Sequence, residues 1–429
     1  MSIRLQRAWQ CARTIRQFST SQRLFRLPVD NDIPPPPPPP DTGYVKLQNR
    51  VLLELSGEDA TNFLQGLVMQ DVIPTTSESR NPQRMYYTAM LNTRGRIQWD
   101  LFIYRFIKSS LGPDKQPMQE IAYYLEADRL ELPALKTQIS KRRLSSKIRW
   151  KEIKSQNLAV YAAWNKPTSE VWKAQTWTPP RKNFEVDEFG LGMTFVDPRG
   201  PHFGYRIVGV PSQVEEVMGK QALPLHYQIR RYECGIPEGA MEVFHDGSMP
   251  METNFDATGG VSFTKGCYVG QELTHRTYHS GVIRKRILPV LLQEETDSTP
   301  YTNDRPIYDP TKPLVMPTTG SKLHIANTLA GRKAGQFIRS VGNVGLGLCY
   351  LTTMTDINLV GVENKYDPNR YVIAHDSQAV ATTKKITAFV PPWLRNYIEA
   401  EEAAKINPLQ GNVRRIGSGR VEDGPRDSL

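Results

Sequence analysis

The sequence predicts an α+β chain that ends in a small β-rich unit. Between residues 121 and 210, strand runs (Ile121–Leu125, Leu158–Trp164, Arg206–Val210) interleave with amphipathic helical stretches at 128–139 and 211–219, the mixture expected of an α+β unit. From Ile283 to Pro392 short strand candidates recur at Ile287–Leu292, Lys322–Ile325, Lys333–Ser340, Val344–Tyr350, Tyr371–Ala374 and Ile386–Val390. That spacing suits a small barrel or a sandwich. With 429 residues, 39% of them hydrophobic, the chain has material for roughly two to four domains with ordinary cores.

The first element in order is a leader. Residues 1–29 hold Arg4, Arg7, Arg13, Arg16, Arg23 and Arg26, with neither lysine nor acid. This is the composition of a mitochondrial presequence, and Arg16–Ser21 reads as its processing region. The leader supplies much of the formal charge of +10, so the charge of the remainder does not call for a nucleic-acid partner. No apolar run approaches the ~18 residues of a bilayer span. Pro34–Pro40, an unbroken proline run, favours extended polyproline II and reads as a spacer.

Apolar and polar residues alternate over 44–55, which predicts strands, and Ser56-Gly-Glu-Asp59 opens a helix with Phe63, Leu64, Leu67 and Val68 on one face. Met85–Leu91 and Ile97–Ile107 follow as strands joined by Asn92-Thr-Arg-Gly95, a hairpin-type turn. The basic run Lys141, Arg142, Arg143, Lys147 and Arg149 reads as a solvated helix end. Asp197–Arg206 is a Gly/Pro-rich hairpin, and Tyr227–Ala240 contains a helix end. Residues 297–319 and 353–369 read as long loops, a helix follows Trp393 through Ala403, and about the last twenty residues read as disordered.

Chemistry concentrates at one cysteine. Of Cys11, Cys234, Cys267 and Cys349, the first leaves with the leader, and the others form no C-x-x-C pair. Neither a disulfide framework nor a zinc ribbon is indicated, and the chain cannot close a four-cysteine cluster site alone. Cys267 follows Lys265 by two positions, so in an extended segment both side chains share a face and the ammonium favours thiolate. Gly266 and Gly270 tolerate positive φ and close backbone approach, as suits a bend with an exposed side chain. Gln271–Arg276 then forms about two helical turns, with Gly281 as the stop. On these grounds alone, Cys267 is either a reactive or metal-binding sulfur or a small hydrophobe packed in a turn.

Lys265-Gly-Cys-Tyr-Val-Gly-Gln-Glu272 followed by Arg276 resembles the signature of the YgfZ family, folate-binding relatives of the glycine-cleavage T-protein that act in iron-sulfur protein maturation. The flanks Gly260–Thr264 and Gly281–Arg286 resemble the mitochondrial branch of that family. Similar likenesses occur in the first helix from Ser56, in Arg231-Tyr-Glu-Cys-Gly235, and in Met249-Pro-Met-Glu-Thr-Asn254. Across residues 42–395 the resemblance implies a three-lobed T-protein/YgfZ-like fold with a C-terminal small β-barrel. The implied lobes are 42–150 plus 225–284 (T-protein-like, folate-binding), 151–224 (α+β) and 285–395 (barrel). They follow a presequence at 1–29 and a Pro-rich linker at 30–41, and precede a helix and disordered tail at 396–429.

The same resemblance implies function. It suggests a mitochondrial matrix assembly factor for four-iron proteins such as aconitase and lipoate synthase, working with A-type scaffold proteins and binding tetrahydrofolate. Cys267 would ligate a shared iron-sulfur cluster or do thiol chemistry, and Lys265 would lower its pKa. Gly266, Tyr268, Gly270, Gln271, Glu272 and Arg276 would support the corner. Asn92, Asp100 and Arg231 would bind folate, although Arg231 could instead pair internally with Glu233 or Glu238. The alternative is a folate-dependent aminomethyltransferase of the glycine-cleavage type. Against it, Trp99 stands where the T-protein has one of two paired aspartates, and the 197–206 turn lacks the glutamate that grips the pterin. The reading is thus an assembly factor related to aminomethyltransferases, with no nucleic-acid partner and no membrane span.

Overall fold

The computed structural model describes residues 35–73, 85–111, 116–179, 191, 193–295, 301–312, 317–327, 332–375 and 384–406. The expected presequence and the tail beyond 406 lie outside these residues. The chain divides into two units, Met1–Pro37 and Pro38–Leu429, and every element described belongs to the second.

Its first half builds two antiparallel sheets. The strands are β1 (Gly43–Lys46), β2 (Arg50–Ser56), β3 (Met85–Leu91), β4 (Ile97–Leu111), β5 (Pro117–Asp128), β6 (Arg149–Ile153), β7 (Ala159–Trp164), β8 (Thr194–Val196) and β9 (Tyr205–Gly209). One sheet has the order β3-β4-β5-β2-β6 and the other β1-β7-β9-β8. Strands and helices mix, as expected of the α+β class. The helices are α1 (Ala60–Gln65), α2 (Leu132–Arg143), α3 (Thr168–Lys173), α4 (Pro211–Met218) and α5 (Pro224–Cys234).

The period of two assigns the faces of the five-stranded sheet. Val51, Leu53 and Leu55 of β2, with Trp99, Leu101 and Ile103 of β4, join Phe63 and Leu64 of α1 and Leu135 and Ile139 of α2 in one core. Leu52, Phe102 and Tyr104 belong to the main core. Trp99 is therefore an inward apolar residue beneath the helices, and Asp100, its neighbour, bonds Arg50 of β2.

The second half holds α6 (Gln271–Ser280), β10 (Lys285–Glu294), β11 (Lys322–Ile325), β12 (Lys333–Val341), β13 (Val344–Tyr350), α7 (Leu351–Met354), β14 (Val372–His375), β15 (Lys384–Ala388) and α8 (Pro392–Ile406). Strands β10-β13-β12-β11-β14-β15 form a closed barrel, because β10 pairs with both β13 and β15. This decides between barrel and sandwich. Leu288, Val290 and Leu292 enter the main core, whereas Ile287 and Leu291 pack with Ile229 and Tyr232 of α5.

Two strands escaped the sequence reading. Arg149 and Lys147 were taken for a solvated helix end, but Arg149 opens the edge strand β6 and pairs with Glu120 of β5 at 3.0 Å. Strand β8 has three residues, too short for alternation to register.

A buried ionic network joins the two sheets. Arg50 meets Glu126 of β5 at 2.7 Å and Asp100 of β4 at 3.1 Å. Arg206 of β9 reaches Glu126 and, at 2.9 Å, Glu238. Arg199 donates to Glu238 and Asp197, and the Tyr227 hydroxyl accepts from both Arg199 and Arg206. Burial alone would raise Glu238, but Arg206, Arg199, Arg231 and Arg50 hold it well below the usual carboxylate range.

Candidate functional site

The stretch from Val261 to Gly270 runs irregularly into α6 and is laced to two other parts of the chain. On one side it meets the loop that leaves α1. Ser262 N–H donates to Met69 O and Val269 N–H to Gly66 O. The Lys265 ammonium donates to three backbone carbonyls, Gln65 and Val68 at 2.7 Å and Gln70 at 2.9 Å. These carbonyls lie at and just beyond the C-terminus of α1, where partial negative charge collects and a cation is favoured. Burial lowers the Lys265 pKa to about 8.

On the other side it meets the β3–β4 turn. Gly270 caps α6 with φ +80, and a Cβ there would lie 2.2 Å from Asn92 O and 2.9 Å from Leu91 Cβ. Glycine is required at 270 on both counts. The Gln271 side chain accepts from Tyr268 N–H at 2.9 Å, which closes the turn ahead of the helix. Tyr268 is buried, whereas Gly266 and Cys267 are exposed. Behind the corner, Phe263 stacks on Tyr278 of α6, and Tyr268 and His275 have their ring centroids 6.2 Å apart.

The sequence-derived residues fare differently. Gly270 and Gln271 shape the corner as expected, and Glu272 and Arg276 stand exposed on the first two turns of α6. Lys265 directs its ammonium donors to three backbone carbonyls. Gly266 needs no special backbone: its φ is outside the left-handed range, and a Cβ would meet nothing within 4 Å. Spacing along an extended segment could not reveal either fact, because both depend on what the loop packs against.

The residues named for folate are already engaged. Asn92 holds its own turn, accepting from Arg94 and Arg96 N–H and donating to Asp246. Asp100 is buried against Arg50 and Gly239 N–H. Arg231 forms a two-pronged pair with Glu242, eleven residues away, and not with Glu233 or Glu238. Tyr232 also donates to Glu242, and Glu238 N–H bonds it. Each is thus committed within the chain, while Arg231 Nε is buried without a hydrogen-bond partner.

Cys267 is the exposed thiol among the described residues; Cys234 and Cys349 are buried, and burial pushes the Cys234 thiol up to about 12 and Cys349 above the usual range. The described residues contain no group of three or more His, Cys, Asp or Glu side chains placed to hold a metal ion, and no helix long and apolar enough to cross a membrane. The corner presents a single thiol.

No family model matches the chain. A protein named iron-sulfur cluster assembly factor IBA57 homolog, mitochondrial, from Coccidioides immitis is 37% identical over 396 residues, covering 89% of this chain and 89% of that protein. The homolog of the same name from Aspergillus oryzae is 34% identical over 435 residues, covering 97% of this chain and 93% of the relative. Among solved structures, the glycine cleavage system aminomethyltransferase T of Bartonella henselae matches with a TM-score of 0.52 at 14% identity, over 83% of this chain and 87% of that one. That likeness concerns the fold, which is T-protein-like as expected. Identity at this level over nearly the whole length decides the family: the chain belongs to the IBA57 mitochondrial iron-sulfur cluster assembly factors.

Proposed function

We propose that this assembly factor acts in the mitochondrial matrix on four-iron proteins of the aconitase and lipoate synthase type. In this reading Cys267 gives one thiolate to a cluster whose remaining ligands come from an A-type scaffold protein. The observation that carries it is the isolation of one exposed thiol on a braced corner, with the other described cysteines buried. A lone sulfur cannot retain a cluster, but it can complete one held by a partner. Lys265 contributes by tying the corner to the end of α1, and Gln271 by closing the turn ahead of α6. The lobes of the reading remain 42–150 with 225–284, 151–224 and 285–395.

Tetrahydrofolate, which the family resemblance implies, has no step in this proposal, because Asp100 and Arg231 are already neutralised by partners within the chain. The same commitments weigh against the aminomethyltransferase alternative. The deciding experiment is aconitase activity in mitochondria depleted of this protein and rescued with wild type or Cys267→Ala. Activity restored by wild type alone supports cluster maturation through Cys267. Aconitase unaffected by depletion, with glycine oxidation lost, overturns the reading in favour of the folate enzyme.

A further inference from the structure

We propose that the turn between α2 and β6 is a membrane-contact tip that seats Leu144 in the surface of an anionic lipid bilayer. The turn is tight: Ser146 N–H donates to Arg143 O at 2.8 Å, and Leu144, the first residue between them, has φ 47 and ψ −118. These angles are those of the first central position of a type II′ turn, which glycine usually fills because a side chain is crowded there. Leu144 is also 88% exposed, more than any other large hydrophobic among the described residues. The fold thus gains little from leucine at this point, since the backbone is strained and the side chain removes almost no surface from water. The tip is not loose. Lys147 N–H donates to Asp59 Oδ2 at 2.7 Å, and a Cβ on Gly57 would lie 2.2 Å from Lys147 O, so the base of the turn is fixed against the start of α1 and Leu144 is held outward.

The charges around it identify the surface it meets. Between Glu131 and Glu152 every charged residue is a cation. Lys136, Lys147 and Arg149 pair with Glu152, Glu58 and Glu120. Lys141, Arg142 and Arg143 form the last turn of α2 and meet no carboxylate among the described residues; Lys141 and Arg143 stand exposed beside Leu144. An apolar side chain at the point of a turn, with cations set behind it, matches a bilayer of negative charge: the apolar group enters the acyl boundary and the cations meet headgroup phosphates. A nucleic acid would use the cations alone. Its backbone gives leucine no apolar seat, and Lys141–Lys147 contains no aromatic residue on which a base could stack.

The test is co-sedimentation of the full chain with phosphatidylcholine vesicles, pure or mixed with phosphatidylglycerol. All variants share the Arg-rich residues 1–29, so the differences between them report the tip. Wild type should bind mixed vesicles about tenfold better than pure ones and lose that preference at about 1 M salt, where charges are screened within about 3 Å. Arg142→Gln combined with Arg143→Gln should weaken binding by about tenfold or more, at roughly fivefold per cation. Leu144→Gly should weaken it about three- to tenfold yet unfold at the same or a higher urea concentration, because glycine relieves the turn. Leu144→Trp should keep binding, and lipids brominated along the acyl chain should quench its emission beyond the quenching of wild type. Wild-type binding by Leu144→Gly overturns the proposal, and if only the double glutamine variant then fails, the tip is a general polyanion site. A Leu144→Trp variant with no added quenching overturns it, as does a Leu144→Gly variant less stable than wild type.

Discussion

Replacing Gly270 with alanine should destabilise the corner strongly, and the structure sets the scale. At φ +80 a side chain costs roughly 1–2 kcal/mol in backbone strain. The new methyl would also lie 2.2 Å from Asn92 O, a backbone atom that can give way only by shifting the β3–β4 turn. Overpacking of this kind costs about 1–3 kcal/mol. The total, about 2–5 kcal/mol, is a large part of the 5–15 kcal/mol that typically holds a domain together. Urea unfolding of the two proteins measures it, and faster alkylation of Cys267 should accompany it as the turn loosens. Gly266→Ala is the internal control, expected to be neutral or stabilising by about 0.4–1 kcal/mol. A Gly270→Ala variant within about 0.5 kcal/mol of wild type would refute the argument that the turn and the helix cap lock each other.

Arg206→Met should destabilise by about 3–5 kcal/mol in the same unfolding assay, because Glu126 and Glu238 would remain buried with less countercharge; a loss under 1 kcal/mol would show that water or a neighbour takes over. The last prediction concerns pH. His245 lies 3.4 Å from Glu131, and its hydrogen bond to that carboxylate raises its pKa above 6.5, while burial raises Glu131 to about 7. Both shifts make the folded state hold protons that the unfolded state releases. The His245 contribution needs Glu131 ionised, so it is largest near pH 7 and is lost as pH rises through the folded pKa of His245. The stability difference between wild type and His245→Gln should shrink between about pH 7 and pH 9, and a difference that grows over that range would reverse the assignment.

Much of the fold could be read from the sequence because burial and strand period coincide. The hairpin at 85–107, the strands Lys322–Ile325 and Val344–Tyr350, and the helix ending before Gly281 all carry regular patterns bounded by turn residues. Strand β6 was hidden because an edge strand with exposed Arg149, Lys151 and Glu152 has no apolar alternation. At the site, the sequence singles out Cys267 and Gly270, whereas the carbonyls that hold Lys265, the open space around Gly266 and the Glu242 partner of Arg231 are not legible in it. The contact between Lys265 and Gln65 joins residues 200 apart, which local spacing does not encode.

The network between the sheets also bears on how this mitochondrial chain comes to be folded. Its charges are contributed from Arg50 through Glu238: Arg50 finds Asp100 and Glu126 within its own sheet, but the network is complete only once Arg199, Arg206 and Glu238 have been delivered. A partly formed set of buried charges is worse than none, which leaves the emerging segment unable to settle in stages. A chain delivered N-terminus first can therefore complete the seam between its two sheets only after Glu238 has emerged.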